Sequence, residues 1–158
     1  MDPLAYLLSW TTYGTWLHGD NRGWVESGEP GVKAPDPNRL DDSRQRMTSA
    51  AIRLDPGQRQ LVETTIRDHC QIRKWTLHAV NVRTNHIHVV VTAEMAPEKV
   101  MEQFKAWCSR RLSEAAGLVP APDTKNGKRR WWTEHGSTKW INDEDYFHNA
   151  VRYVNERQ

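Results

Sequence analysis

Two segments rich in β-forming residues, separated by only three residues, constrain the fold more than any other feature of the sequence. Residues 75–82 (Trp-Thr-Leu-His-Ala-Val-Asn-Val) alternate well enough to form one strand, and residues 86–92 form a second. The connection, Arg83-Thr84-Asn85, has the length of a tight turn between antiparallel neighbours. The sequence therefore predicts a β-hairpin at the centre of the chain.

The remaining segments predict three helices and at least two more strands. Apolar side chains recur at helical spacing in three places, and Asp55 with Pro56, Pro97 and Asp143 supply start signals for helices. The predicted helices span residues 56–73, 97–115 and 144–157. The additional strands are predicted within residues 6–12 and 130–141.

This order of elements contains two βαβ-like halves. It is typical of a ferredoxin-like α+β sandwich, with an antiparallel sheet and helices packed on one face. A chain of 158 residues supplies one core, so we expect a single domain over residues 1–158. Residues 13–55 form a long inserted loop, and loops of that length are often functional. Four of its side chains are candidates to cover a ligand groove: Trp16, His18, Arg22 and Trp24.

Composition excludes several classes of protein. No apolar run approaches the roughly 18–20 residues of a membrane helix, and the N-terminus lacks the pattern of a secretory signal. The two cysteines, Cys70 and Cys108, match no zinc-binding spacing and indicate buried thiols in a reducing compartment. We therefore expect a cytoplasmic protein with no membrane partner.

A basic cluster beside two indoles indicates nucleic-acid binding more strongly than the net charge of +2 does. Residues 125–132 are Lys-Asn-Gly-Lys-Arg-Arg-Trp-Trp. Cations that follow a phosphate backbone, next to rings that stack on bases, are the components of a single-stranded DNA surface. A solvated turn followed by a core strand would give the same pattern. The candidate DNA-binding residues here are Lys128, Arg129, Arg130, Trp131 and Trp132.

His86 and His88 are the most informative pair in the chain. Residues i and i+2 of a strand point to the same face, so the two imidazoles project side by side while Ile87 points to the core. Two imidazoles in this arrangement can bind one divalent ion and leave positions open for substrate oxygens. A half-exposed strand with two incidental histidines is the alternative interpretation.

The hairpin around these histidines resembles the core of single-tyrosine HUH transposases, a class that includes the REP-associated tyrosine transposases and takes its name from a His–hydrophobic–His motif. Asn85 before the motif and the valines after it fit this resemblance. The similarity covers most of the chain outside residues 13–55 and 117–130. It extends to the opening strand (8–13), to the helix that carries Lys99, Phe104, Lys105 and Trp107, and to the last helix (145–154).

The resemblance implies a metal-dependent endonuclease that cuts and rejoins single-stranded DNA near a hairpin through a 5′-phosphotyrosine. It makes Tyr153 the nucleophile, although Tyr146 lies two turns earlier on nearly the same helix face. Lys105 becomes a further candidate DNA-binding residue. Relatives act as monomers or dimers, so the sequence leaves a homodimer open.

The resemblance also implies an ion, Mg²⁺ or Mn²⁺, held by His86 and His88 with a third ligand from the last helix. The family commonly places Gln or Asn four residues after the tyrosine. Here that position is Arg157, whose guanidinium has no acceptor atom. Glu156 and Gln158 are the remaining candidate metal ligands.

Three other functions remain open at this stage. A replication or mobilisation initiator would use the same HUH chemistry, but such enzymes usually carry an additional domain. A non-catalytic nucleic-acid-binding module on a ferredoxin-like fold would leave the two histidines without a purpose. A metal-dependent nucleotide hydrolase would need more carboxylate ligands than the sequence places beside His86 and His88.

Overall fold

The computed structural model describes residues 3–14, 51–118 and 131–156. The strands are antiparallel to their neighbours, and their order across the sheet is β2-β3-β1-β4. This is the ferredoxin-like arrangement, and it confirms the predicted α+β class. The elements of the described residues are β1 (Ala5–Thr11), α1 (Pro56–Arg73), β2 (Thr76–Val82), β3 (His86–Thr92), α2 (Pro97–Ala115), β4 (Ser137–Ile141) and α3 (Glu144–Glu156).

Local capping explains where two of the helices begin. The side chain of Asp55 accepts a hydrogen bond from the backbone N–H of Gln58 at 2.7 Å, and Gln58 Oε1 accepts one from the Asp55 N–H at 2.9 Å. These two bonds form a capping box at the start of α1. Asp143 Oδ1 accepts a bond from the Tyr146 N–H at 2.8 Å at the start of α3. Both predicted N-caps are therefore confirmed.

The sheet separates a large and a small hydrophobic cluster. Helices α1 and α2 pack over the large cluster, to which β1 and β3 contribute alternate residues: Tyr6, Leu8, Trp10, Ile87, Val89 and Val91. Helix α3 packs on the opposite face, where Ala150 and Val154 meet Ala5, Ala79, Val90 and Ile141. The expectation that the helices share one face is therefore wrong for α3. The strand residues between these alternate ones face the opposite side of the sheet. At one end of the sheet they are also apolar, so they too must be buried against another element.

The two ends of the predicted 13–55 loop lie next to each other. The Ile52 N–H donates to the Tyr13 carbonyl at 2.9 Å, and Thr12 Oγ1 donates to the Ile52 carbonyl at 2.6 Å. The Leu54 N–H donates to the carbonyl of Thr84 in the β2–β3 turn at 2.7 Å. The chain therefore leaves and re-enters the domain at one place. Trp16, His18, Arg22 and Trp24 lie outside the described residues.

The thiols of Cys70 and Cys108 are buried and reduced, as predicted. Burial raises the pKa of Cys70 to about 12, although the nearby charge of Arg67 opposes the shift. Burial also raises the pKa of Cys108. Both groups are therefore protonated and unreactive at neutral pH. Within the described part of the chain, no helix combines the length and apolarity needed to cross a bilayer.

Gly136, the residue before β4, lies close to the backbone of β1, which generates a stability prediction. A Cβ at this position would lie 2.6 Å from the Ser9 carbonyl oxygen and 2.9 Å from Met101 Sδ. Gly136→Ala must therefore displace backbone, and we expect a loss of about 1–3 kcal/mol in the free energy of urea unfolding. Gly57→Ala is the matched control. Its new Cβ would come no closer than 3.4 Å to Asp55 Oδ1, so equal losses in the two variants would contradict the prediction.

Candidate active site

His86 and His88 lie side by side on the sheet face that α3 covers in part. Their ring centroids are 6.2 Å apart, and the ring planes lie within 7° of parallel. Ile87, between them, is fully buried in the large cluster, so strand alternation turns the two imidazoles to the opposite face. The pair is half-buried and adjacent, as the spacing predicted.

Neighbouring polar groups hold both imidazoles through the same ring nitrogen. His86 Nδ1 lies 2.5 Å from Asn85 Oδ1. Because an amide oxygen only accepts, His86 Nδ1 is the donor, and Nε2 carries the lone pair of the neutral ring. His88 Nδ1 lies 2.8 Å from the hydroxyl of Ser9, its cross-strand neighbour on β1. Both Nδ1 atoms are thus engaged by polar neighbours, and outer hydrogen bonds of this kind orient metal-binding histidines in proteins.

Helix α3 brings Tyr153 to these histidines within the same chain. The Tyr153 ring stands edge-on to His88, with ring centroids 5.9 Å apart and planes at 82°. The residue is 41% exposed, so a substrate can reach it. Tyr146 lies about 10 Å from Tyr153 toward the start of the helix. Its side chain is partly buried against the small cluster. Tyr153 is therefore the tyrosine that contacts the histidine pair.

A third metal ligand does not join the pair where it was expected. Among residues 3–14, 51–118 and 131–156, no three His, Cys, Asp or Glu side chains stand close enough to hold one ion. Glu156 therefore does not complete a three-residue metal site with the two histidines in this arrangement. Gln158 lies outside the described residues.

Trp131 and Trp132 are core residues, which corrects their prediction as base-stacking rings. They are 3% and 7% exposed. Trp131 Nε1 donates to Ser113 Oγ at 2.8 Å, and Trp132 Nε1 donates to the Lys105 carbonyl at 2.9 Å. A bridge between Thr12 and Trp132 adds this segment to the end of β1, and both indoles hydrogen-bond to residues of α2. Buried rings offer no face to a base.

Lys105 is also a structural residue, which corrects its prediction as a DNA contact. Its Nζ donates to the carbonyls of Thr133 and His135 at 3.0 and 2.9 Å. Burial lowers the pKa of this ammonium, and the charges of Glu134 and Glu102 oppose that shift. The side chain thus ties α2 to the segment before β4. The other basic candidates, Lys128, Arg129 and Arg130, lie outside the described residues.

Sequence reasoning missed a row of polar residues that crosses the sheet beside the histidines. Asn81 and Ser9 are the cross-strand partners of His88, and Ser137 is the partner of Ser9. Lys139, two residues after Ser137, lies exposed on the same face of β4. These residues come together only through the pairing register of strands that are far apart in the sequence. No local sequence pattern therefore predicts the row.

The chain belongs to the family of IS200-like transposases. The family model described as "Transposase IS200 like" matches residues 50–157, which is more than half of the chain. The fold and the histidine–tyrosine cluster described above are therefore those of a member of this transposase family. No curated protein sequence matches this chain.

One solved structure shows the same fold at low sequence identity. A REP-associated tyrosine transposase bound to a REP hairpin superposes with a TM-score of 0.55 and 12% identity, over 98% of this chain and 66% of that one. The chain thus spans about two thirds of that protein's length. A Deinococcus radiodurans R1 protein, provisionally assigned as a transposase, gives a TM-score of 0.48 and 14% identity over 100% of this chain and 93% of that one.

The structural role of Lys105 generates a prediction. Lys105→Met keeps most of the buried stem but leaves the Thr133 and His135 carbonyls without their donor. We expect the free energy of unfolding to fall by about 1–3 kcal/mol, measured in urea. The affinity of the folded protein for single-stranded DNA, measured by fluorescence anisotropy at two salt concentrations, should stay unchanged. If DNA binding by Lys105→Met depended less on salt than binding by the unmodified protein, Lys105 would instead be a DNA contact.

Proposed function

We propose that this transposase cuts and rejoins single-stranded DNA through a covalent bond between Tyr153 and a 5′ phosphate. The observation that carries the proposal is the contact of the Tyr153 ring with His88 at 5.9 Å between centroids, within one chain. An exposed phenol can act as a nucleophile. The two imidazoles next to it can bind a metal ion or a phosphate. Membership of the IS200-like transposase family supports DNA strand transfer as the reaction.

Tyr153 acts as the nucleophile in the proposed reaction. Its phenolic oxygen attacks the phosphorus, and the bond from phosphorus to the 3′ oxygen breaks. The phenol gives up its proton as the new bond forms, and the leaving oxygen takes up one proton and becomes a free 3′-hydroxyl, while the 5′ phosphate stays on the tyrosine. The phosphotyrosine is itself a phosphodiester, so a 3′-hydroxyl can attack it, restore the DNA backbone and release the phenol. No nucleotide cofactor is needed for rejoining.

His86 and His88 are proposed to hold a divalent cation, Mg²⁺ or Mn²⁺, through their Nε2 atoms. Such an ion, when bound, neutralises negative charge on the phosphate under attack. Imidazole ligands suit Mn²⁺ better than Mg²⁺. Ser9 and Asn85 hold the two rings in the orientation that this binding requires. Oxygen atoms of the DNA and of water would supply further ligands.

The DNA strand is proposed to lie on the part of this sheet face that α3 leaves open. That part carries hydroxyls of Ser9 and Ser137 and the exposed cation Lys139, all of which suit a phosphate backbone. Recognition of a hairpin is supported by the relative whose structure was solved with a REP hairpin. We expect the hairpin to position the single strand at Tyr153.

A covalent-adduct assay tests the proposed function. A pool of labelled hairpin oligonucleotides with single-stranded flanks and mixed sequence is incubated with the protein and Mn²⁺, then resolved on a denaturing gel. We expect a protein–DNA adduct that disappears in Tyr153→Phe, falls at least roughly a hundredfold in His88→Ala, and is lost when the metal is chelated. Tyr146→Phe is the matched control and should keep forming the adduct.

The assay separates the proposal from its alternatives. An adduct that persists in Tyr153→Phe and is lost in Tyr146→Phe would identify the other tyrosine as nucleophile. Cleavage without an adduct in the unmodified protein would indicate a metal-dependent hydrolase. Binding of the pool without cleavage or adduct would indicate a non-catalytic binding module.

The position of Tyr153 against its own chain's His88 predicts an active site that is complete in one polypeptide. Tyr153→Phe and His88→Ala each remove one half of that site. Mixing the two variants, with time for subunit exchange, should therefore leave adduct formation at the level of the separate variants. Restored adduct on the His88→Ala chain would show instead that the tyrosine helix serves a partner subunit.

A further inference from the structure

We infer that Asn81 is a positioning residue that fixes Tyr153 by tying the end of α3 to the histidine strand. The inference rests on the proposed function, in which Tyr153 is the nucleophile. Asn81 Nδ2 donates to the Val154 carbonyl at 3.0 Å. Asn81 is also the cross-strand partner of His88 on the neighbouring strand. One side chain thus touches the residue after Tyr153 and lies beside the histidine that Tyr153 contacts.

The carbonyl that Asn81 binds lies in the last turn of α3 that the structure describes, which runs to Glu156. Carbonyls near the C-terminal end of a helix depend more on partners outside the helix than those at its centre. Asn81 therefore ties this turn of α3 to the sheet. Loss of this donor would loosen the turn that carries Tyr153.

The other contacts that hold α3 are aromatic or apolar. Phe147 packs edge-on against His78 at 4.8 Å between ring centroids, near the start of the helix. Ala150 and Val154 bury small apolar side chains, whose packing is not directional. A hydrogen bond from a strand to a helix carbonyl is directional, so it resists rotation of the helix about its axis.

A small rotation would suffice to misplace the nucleophile. A tyrosine hydroxyl lies roughly 9 Å from its helix axis, so a turn of roughly 20° moves it by about 3 Å. Misplacement of a reacting group by about 1 Å can cost a hundredfold in rate. We therefore expect loss of the Asn81 contact to slow the chemical step while DNA binding continues.

Asn81→Asp tests the inference because it keeps the shape of the side chain and removes the donor. We expect the single-turnover rate of adduct formation to fall ten- to a hundredfold, and the Kd for the hairpin pool to change less than about twofold. Gln103→Glu is the matched control. It makes the same amide-to-acid change beside His69, on the other side of the sheet, and should leave the rate unchanged.

Hydrogen exchange gives a readout that does not depend on activity. We expect backbone amides of residues 153–156 to exchange faster in Asn81→Asp, while amides of residues 146–150 keep their rates. Unchanged exchange at 153–156, or an adduct rate equal to that of unmodified protein, would overturn the inference. A parallel fall in rate, DNA affinity and unfolding free energy would also overturn it, because it would mean general destabilisation. Absence of any adduct from the unmodified protein would refute the proposed function, and the exchange rates would then decide whether Asn81 holds the Tyr153 turn.

Discussion

The pairing of β1 with β3 is the constraint on which the site depends. Its register sets Ser9 opposite His88 and Thr11 opposite His86. Leu8, Ile87 and Val89 are fully buried on the other face and lock this register. A slip by one residue would turn both imidazoles into the large cluster and expose the apolar set to water. The hydrophobic core therefore fixes the position of polar groups that lie outside it.

Some residues of helix α3 cover the sheet, and another of its residues lies beside the histidine pair. Its Ala150 and Val154 cover the apolar part of the second sheet face, where Ala79 and Val90 need burial. Tyr153, between those two anchors in sequence, points toward the part of the face that stays open. The same helix thus stabilises the domain and places the Tyr153 phenol beside His88, so both depend on how the helix packs on the sheet.

Local signals in the sequence determined most of the elements. Capping residues and helical periodicity predicted the bounds of α1 and α2 as observed, and alternation predicted β3. The histidine pair followed from strand spacing, and Tyr153 from resemblance. The residues whose roles were wrongly predicted are placed by contacts between distant parts of the chain. No local sequence pattern reveals such contacts. Two tryptophans after a basic run look alike whether exposed or buried, and the bond between Ser9 and His88 joins residues 79 positions apart in the chain.

The hydrogen bonds that join Tyr13 to Ile52 have a consequence for how this architecture can diversify. These bonds hold the two ends of the intervening segment together, so the geometry at the junction is set by described residues. The entropic cost of closing a longer connection grows only as the logarithm of its length, by about 0.6 kcal/mol for each doubling. In terms of loop-closure entropy, a change in the number of residues between positions 14 and 51 is therefore a small cost.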